Sequence, residues 1–355
     1  MKRKNLVVKN KVKENKLIKD SKIIKIYSKF EKIISKNIKN KSFALAVSGG
    51  ADSLCLAYFG KLYSLKFENK IHVLIVDHKI RKDSSQEALK VSNMLKRKGI
   101  QSKILVWKGK TPKRNIQNNA RNMRYLLMSN YCKQKNIEYL VTAHHLDDQI
   151  ENFFIRLFRG SGLTGLSSMS ESFNYNNFLK VIRPFLNFKK IELQKATLKY
   201  FKNFIKDPSN NDDKYLRVRV RKIRGSMEKE GLDTTKIINT VNNLFSANKA
   251  LSYYKNKALY KHVSFLSKNR CQISEKIFAQ EAGEIVFKSF SDILSLISGK
   301  YYPPRSKKII NLINRIKKNI FNKSTLGGCV VEKKDGQIFI SKESKERKVA
   351  FQPNK

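Results

Sequence analysis

Residues 48–53 read Ser-Gly-Gly-Ala-Asp-Ser directly after the apolar run Phe43-Ala44-Leu45-Ala46-Val47. The run has the length of a buried strand, and Asp52–Phe59 has the texture of a buried helix. Between them, Ser48, Gly49, Gly50, Ala51, Asp52 and Ser53 form a turn rich in glycine and hydroxyls. Such a strand–turn–helix junction binds anions. Glycine lets backbone N–H groups approach closely, and the helix N-terminus adds partial positive charge. Ser48 and Ser53 add donors for phosphate oxygens. No Gly-Lys-Ser/Thr follows as in a Walker loop, and the G-x-G-x-x-G of dinucleotide folds is absent.

A second cluster is Ala143-His144-His145-Leu146-Asp147-Asp148-Gln149-Ile150-Glu151. Asp147 and Glu151 are four apart and share a helix face, and Asp148 sits beside them near the helix start. Adjacent histidines suit one zinc ion less well than the spaced H-E-x-x-H pair. The three carboxylates are therefore read as holding an ammonium group or Mg²⁺. Arg121 and Arg124 share a helix face at i and i+3, where their guanidinium forks suit phosphate or a nucleobase. Arg217, Arg219 and Arg221 are spaced by two; a strand would put them on one face, and a basic helix fits as well.

These groups need a scaffold that brings them together. Strand signals at 43–47, 71–76, 101–107 and 137–143 alternate with helix signals at 84–98, 115–134 and 147–159. Repeated β–α units predict an α/β fold with a doubly wound parallel sheet. Ligands bind such sheets off the carboxyl ends of the strands. Ser48–Ser53, Asp77-His78 and His144-His145 all fall there. The pattern loosens over 161–220, and residues from about 226 have a helical texture. Leu326–Val331 and Gln337–Ile340 bracket Lys334-Asp335-Gly336, a β-hairpin signal.

Composition narrows the partners. The chain has 355 residues and a net charge of +47, which points to a polyanion, with nucleic acid first. Part of the lysine excess matches a general richness in Lys, Asn and Ile. Cys55, Cys132, Cys271 and Cys329 are scattered, without the spacing of a zinc or iron–sulfur site. A reducing, cytoplasmic setting is expected, with no signal peptide and no membrane span.

The loop resembles the S-G-G-x-D-S loop of ATP pyrophosphatases. Asp77-His78-x-x-Arg81, Arg121-x-x-Arg124-Tyr125, the His144–Gln149 cluster, Arg159-Gly160-Ser161-Gly162-Leu163, Arg183-Pro184 and Asp207-Pro208-Ser209-Asn210 join it. Together with Tyr302-Pro303-Pro304-Arg305 and Thr325–Cys329, they resemble the bacterial tRNA(Ile)-lysidine synthetase family. One departure is Asn152, where that family's acidic motif usually has Thr. The resemblance implies a PP-loop fold and ligation of L-lysine to C2 of cytidine 34 in a CAU-anticodon tRNA(Ile). ATP, with Mg²⁺, would go to AMP and pyrophosphate through an adenylated cytidine. It implies Ser48–Ser53, His78 and Arg81 at ATP, and Asp52 at Mg²⁺. Asp147, Asp148 and Glu151 would hold lysine, with Asp52, His145 and Asp147 catalytic. Arg121, Arg124, Arg217, Arg219, Arg221 and Arg305 would meet tRNA.

The expected organisation is a basic extension over 1–25, a catalytic domain over 26–225 and a smaller, mostly helical tRNA-binding region over 226–355 that ends in the hairpin. The sequence does not set the oligomeric state, and a homodimer is compatible with it. An ATP-dependent tRNA thiolase of the same fold is the alternative enzyme, and a non-catalytic basic RNA-binding module is the alternative from another class.

Overall fold

The structure is a computed structural model that describes residues 20–343, apart from 81–82, 110–115, 168, 207–213, 215 and 301–302. It divides between Asn242 and Asn243 into two compact units. In the first, Asp20 caps α1 (Ser21–Ile38) by accepting the Lys22 N–H at 3.0 Å. Ile23, Ile26, Phe30, Ile34 and Ile38 form its buried stripe, at the spacing of one helix face. β1 (Phe43–Ala46) leads into α2 (Ala51–Phe67), which is buried on most sides. There follow β2 (Ile71–Asp77), α3 (Ser84–Arg97), β3 (Ser102–Val106), α4 (Ile116–Gln134), β4 (Tyr139–Val141) and α5 (Leu146–Leu157). The short α6 (Leu163–Leu166), the edge strand β5 (Ser172–Asn174) and its inner neighbour β6 (Lys180–Ile182) come next. α7 (Lys190–Phe201) and α8 (Leu216–Lys229) complete the unit, with the start of α9 (Thr234–His262).

The strand order is β3-β2-β1-β4-β6-β5, parallel except for the β5–β6 pair. The chain moves outward from β1 to β3, then returns to the other side of β1 at β4. The carboxyl ends of β1 and β4 therefore flank a topological switch point, where this class of sheet binds ligands. Tyr27, Phe30, Phe59, Tyr63 and Phe185 interlock behind it at ring-centroid distances of 5.4–6.3 Å. The β5–β6 hairpin lies in the stretch that lacked a clear pattern. Its strands are three residues long, too short to alternate visibly, and Asn176 shapes its turn by accepting from the Phe178 and Leu179 amides.

The second unit holds the rest of α9, β7 (Val263–Ser267), β8 (Arg270–Ser274), α10 (Ile277–Gln280), α11 (Gly283–Ser298), α12 (Ser306–Lys317), β9 (Lys323–Leu326), β10 (Cys329–Lys334) and β11 (Gln337–Lys342). Its antiparallel sheet runs β7-β8-β11-β10-β9. The expected hairpin forms, with Asp335 and Gly336 both at positive φ, 50° and 67°, as a type I′ turn demands. Leu326–Val331 is not one strand. A second tight turn at Gly327-Gly328 folds β9 onto β10. β7 and β8 were hidden in the helical texture because β7 follows α9 without a break. Ile273, Phe290, Leu294, Val331 and Ile340 anchor this unit's core.

Phe30 is fully buried under the switch point. Phe30→Ala should destabilise the first unit by about 3–5 kcal/mol. The chain's sole tryptophan, Trp107, lies in that unit, so urea unfolding followed by tryptophan fluorescence reads it directly. The midpoint should fall with an unchanged slope.

Candidate active site

The loop after β1 is braced from within. Ser53 Oγ accepts the Ser48 N–H at 3.1 Å and donates to Gly50 O at 2.9 Å, with Ser48 Oγ at 3.3 Å. Ser53 thus ties the loop to itself, and Ser48 is exposed beside it. Gly50 caps α2 with no side chain to bond the first helix amides, so N–H groups without an intrahelical acceptor converge there. Gly49 has φ +88°, and a Cβ there would come within 2.4 Å of Val91 Cγ2. Only glycine lets the loop pass that close to α3. Its carbonyl accepts from Ile205 N at 2.9 Å, and Thr197 Oγ1 donates to Ala51 O at 2.6 Å. Asp52 Oδ1 is buried without a protein partner among the described residues.

His145 caps α5. Its backbone N–H donates to Asp148 Oδ2 at 3.1 Å, and its ring Nδ1 accepts from Asp148 N at 3.4 Å. The buried ring is surrounded by carboxylates. Nε2 lies 3.5 Å from Asp52 Oδ2 and 3.5 Å from Asp148 Oδ2, and Nδ1 is 3.8 Å from Asp147 Oδ2. Burial pulls its pKa down, but the Asp52 hydrogen bond and the three nearby charges outweigh that and raise it above 6.5. His144 behaves oppositely. Burial, with the charges of Arg183, Arg121 and Arg217, pushes it down to about 3 despite Asp148, so it is a neutral imidazole, joined to Thr142 Oγ1 at 2.9 Å. Burial works to raise Asp147 and Asp148. Asp147 is nonetheless lowered by the Lys190 amide, Arg224 and His145, and Asp148 by His145, His144 and Arg217.

The Arg217–Arg221 segment is helical, and α8 turns its arginines onto the acidic helix. Arg221 grips Glu151 in a two-pronged pair at 2.5 and 3.2 Å, and Glu151 is 2% exposed. Arg217 reaches Glu151 at 3.6 Å and Asp148 at 4.0 Å. Arg224 bonds Asp147 Oδ1 at 2.8 Å, while Lys190 N bonds its Oδ2 at 2.8 Å. Arg217 and Arg221, expected from sequence at tRNA, thus lie against carboxylates of this chain, and Asp147 and Glu151, expected at lysine, each accept from an arginine. Arg219 faces another side of α8 and is exposed, since i+2 on a helix lies on a different face. Sequence reading missed Arg224; its spacing of i+3 from Arg221 and i+7 from Arg217 was the available signal.

The remaining residues fall around the same strand ends, with one exception. His78, after β2, is pushed down to about 4 by burial and by Arg124, against Asp77, and its Nδ1 is buried without a partner among the described residues. Asp77 accepts from Lys79 N and from the Ser84 and Ser85 hydroxyls at 2.7–3.0 Å, shaping the turn into α3. Arg121 and Arg124 are exposed on α4, Arg121 lying 5.3 Å over the Tyr125 ring. Sequence reading gave Arg183 no role; it is buried, 4.4 Å over Phe173, donating from Nη1 to Ser170 O at 3.0 Å, with Nε unpartnered among the described residues. Arg305 is exposed at the start of α12 in the second unit. Arg81, the Asp207–Asn210 element and Tyr302 lie outside the described residues.

Comparison with known proteins agrees with this geometry. Residues 22–224 match the model of the PP-loop domain. The tRNA(Ile)-lysidine synthase of Wolbachia pipientis wMel is 35% identical, over 86% of this chain and 71% of its own length. That of Orientia tsutsugamushi (strain Boryong) is also 35% identical, over 86% and 70%. Among solved structures, a U34-tRNA thiolase from Methanococcus maripaludis superposes with a TM-score of 0.56 at 20% identity, covering 64% of this chain and 81% of that one, which supports the fold.

The pKa directions set the pH dependence of stability. Asp147 and Asp148 are lowered in the fold, so their contribution is present above the ordinary carboxylate range and is lost as pH falls through their folded values. His145 is raised, so its contribution is present below pH ~6.5 and is lost as pH rises through its folded value. His144 and His78 are held below the ordinary imidazole value, so they too cost stability as pH falls below ~6.5, and stability should decline on both the acid limb and the limb above pH ~6.5. In chemical denaturation across pH, Asp148→Asn should flatten the acid limb and His145→Gln the limb above pH ~6.5.

Proposed function

The chain belongs to the tRNA(Ile)-lysidine synthase family, on a PP-loop domain, and from that premise we propose how its residues divide the work of an ATP-dependent ligase. The reaction joins L-lysine to C2 of cytidine 34 in the CAU anticodon of tRNA(Ile). The C2 carbonyl oxygen attacks the α-phosphate of ATP and pyrophosphate leaves. The ε-amine of lysine then attacks C2; a C–N bond forms, the C–O bond breaks, and AMP departs with the oxygen. The observation that carries the reading is the 3.5 Å contact of His145 with Asp52. It brings the phosphate loop and the acidic helix, from separate sequence motifs, side by side, which supports their serving one reaction.

Ser48 and the first amides of α2 hold the leaving pyrophosphate. His78, neutral and with a free ring nitrogen, lines the nucleotide, and Arg121 and Arg124 hold the cytidine and its phosphates. The cytosine must leave the anticodon stack to be reached, at a cost of a few kcal/mol. Asp52 Oδ1 is a hard acceptor without a partner, which fits Mg²⁺. Asp52 would hold the ion beside the phosphates of bound ATP, whose hard oxygens suit Mg²⁺. Bound there, Mg²⁺ would neutralise charge on the pyrophosphate.

Lysine's ammonium has an ordinary pKa of ~10.4 and must shed a proton before it attacks. Asp148 is the carboxylate of the helix least occupied by close arginine contacts, and with Asp52 it attracts that ammonium. His145 receives the proton, its raised pKa placing it nearer operating pH. The family reading sets the protein in the cytoplasm with its tRNA; no described helix is long and apolar enough to cross a membrane. A thiolase on this fold would need a reactive cysteine. Burial pushes Cys132 and Cys271 up to about 12 and Cys55 well above its ordinary value, which disfavours thiol chemistry.

Incubation with radiolabelled lysine, ATP and total tRNA, followed by nuclease digestion, tests the reading. Label should appear at C34 of the CAU isoleucine tRNA alone, and absence of label would refute it. Asp52→Asn should lower tRNA-dependent pyrophosphate release about 10²-fold or more while tRNA affinity, set by distributed charge, stays within about twofold. Asp148→Asn should raise the KM for lysine about tenfold and that for ATP far less, as a loss of ~1.4 kcal/mol at one ammonium contact requires. Steady-state kinetics with each substrate varied separates the two effects.

A further inference from the structure

α9 is 29 residues long and contains five lysines and no acidic residue. Its second half lies in the second unit. Successive helix positions turn by about 100°, which gathers Lys249, Tyr253, Lys257 and Tyr260 within about 80° of one another. All four are exposed, Tyr253 at 66% and Tyr260 at 94%. An aromatic ring that open contributes almost nothing to the core, since the stabilisation it offers scales with the area it buries. Tyr253 meets only the edge of its neighbour Tyr254, at 5.4 Å between centroids. Among the described residues Lys249 and Lys257 have no carboxylate partner, whereas Lys255, on the inward side, is paired with Asp292.

We propose that this stripe binds unpaired nucleotides of the tRNA, each tyrosine stacking on a base while the lysines meet the phosphates. The proposal rests on the tRNA reading above and names a second contact with that substrate. Tyr253 and Tyr260 are seven residues apart, about 10.5 Å along the axis, so each ring takes its own base. Bases within an A-form stem show no free face for stacking; loops and single-stranded ends do. The same apolar exposure would serve contact with a second copy of the chain. A face carrying lysines and no acid, on a protein of +47, repels its own copy and attracts a polyanion.

The test uses the full chain with Tyr253→Ala, Tyr260→Ala and Tyr260→Phe. Binding of whole tRNA, of a blunt RNA duplex and of an unpaired oligonucleotide is measured at fixed salt, with sedimentation of each variant. Each alanine variant should weaken tRNA and oligonucleotide binding about tenfold. Tyr260→Phe should restore it, because the ring and not the hydroxyl stacks, and duplex affinity should not change. Equal tRNA affinity in all variants would overturn the proposal, as would a dimer that Tyr260→Ala dissociates. Near-identical circular dichroism shows that the variants are folded. If the stripe results hold but wild-type protein attaches no lysine to tRNA, the functional reading fails and the stripe stands.

Discussion

A buried imidazole among three carboxylates is the constraint around which the first unit is built. His145 sits within 3.8 Å of Asp52, Asp147 and Asp148, and none of the four could be buried alone. Like charges at that distance repel, and partly desolvated carboxylates are costly unless paired. The fold answers with one ring able to take up a proton and with arginines from α8. Glu151, the most buried acid of the group, receives the two-pronged Arg221 contact, the geometry in which guanidinium and carboxylate interact best. Ile150, Phe154, Val220, Ile237 and Val241 pack beside these ion pairs. Apolar burial thus docks α8, and docking α8 lets the acidic helix exist at a strand end.

The same arrangement explains how a protein of +47 gathers carboxylates at one strand end. Distant surface lysines are screened within about 10 Å at moderate salt, so they draw RNA toward the surface without setting the charge at His145. Local pairing sets it. Two neighbouring histidines consequently have opposite characters: His144, next to the arginines, is held neutral, and His145, next to the carboxylates, is held ready to carry a proton.

Much of this was legible in the sequence because the informative residues are contiguous. Six positions, 48–53, identify the phosphate loop, and nine, 143–151, the acidic helix. The regular β–α alternation predicts that both lie at strand ends. What could not be read is contact between distant segments. Nothing in the spacing of Arg217, Arg221 and Arg224 tells that they pair with Glu151 and Asp147, since an exposed basic helix has the same pattern. The bonds of Ser53 to Ser48 and Gly50 likewise depend on a loop geometry that only the fold reveals. The β7–β8 and β5–β6 pairs were invisible for another reason. Short strands carry little periodicity, and their register comes from partners such as β11, far along the chain.

The central claim is that Asp52 and His145 form one electrostatic unit linking the two motifs. With five histidines in the chain, imidazole resonances are few enough to assign by His145→Gln and titrate by NMR. In the wild-type protein His145 should titrate above 6.5, and in Asp52→Asn its pKa should fall, since a hydrogen bond and a charge are both removed. An unchanged His145 titration in Asp52→Asn would contradict the account.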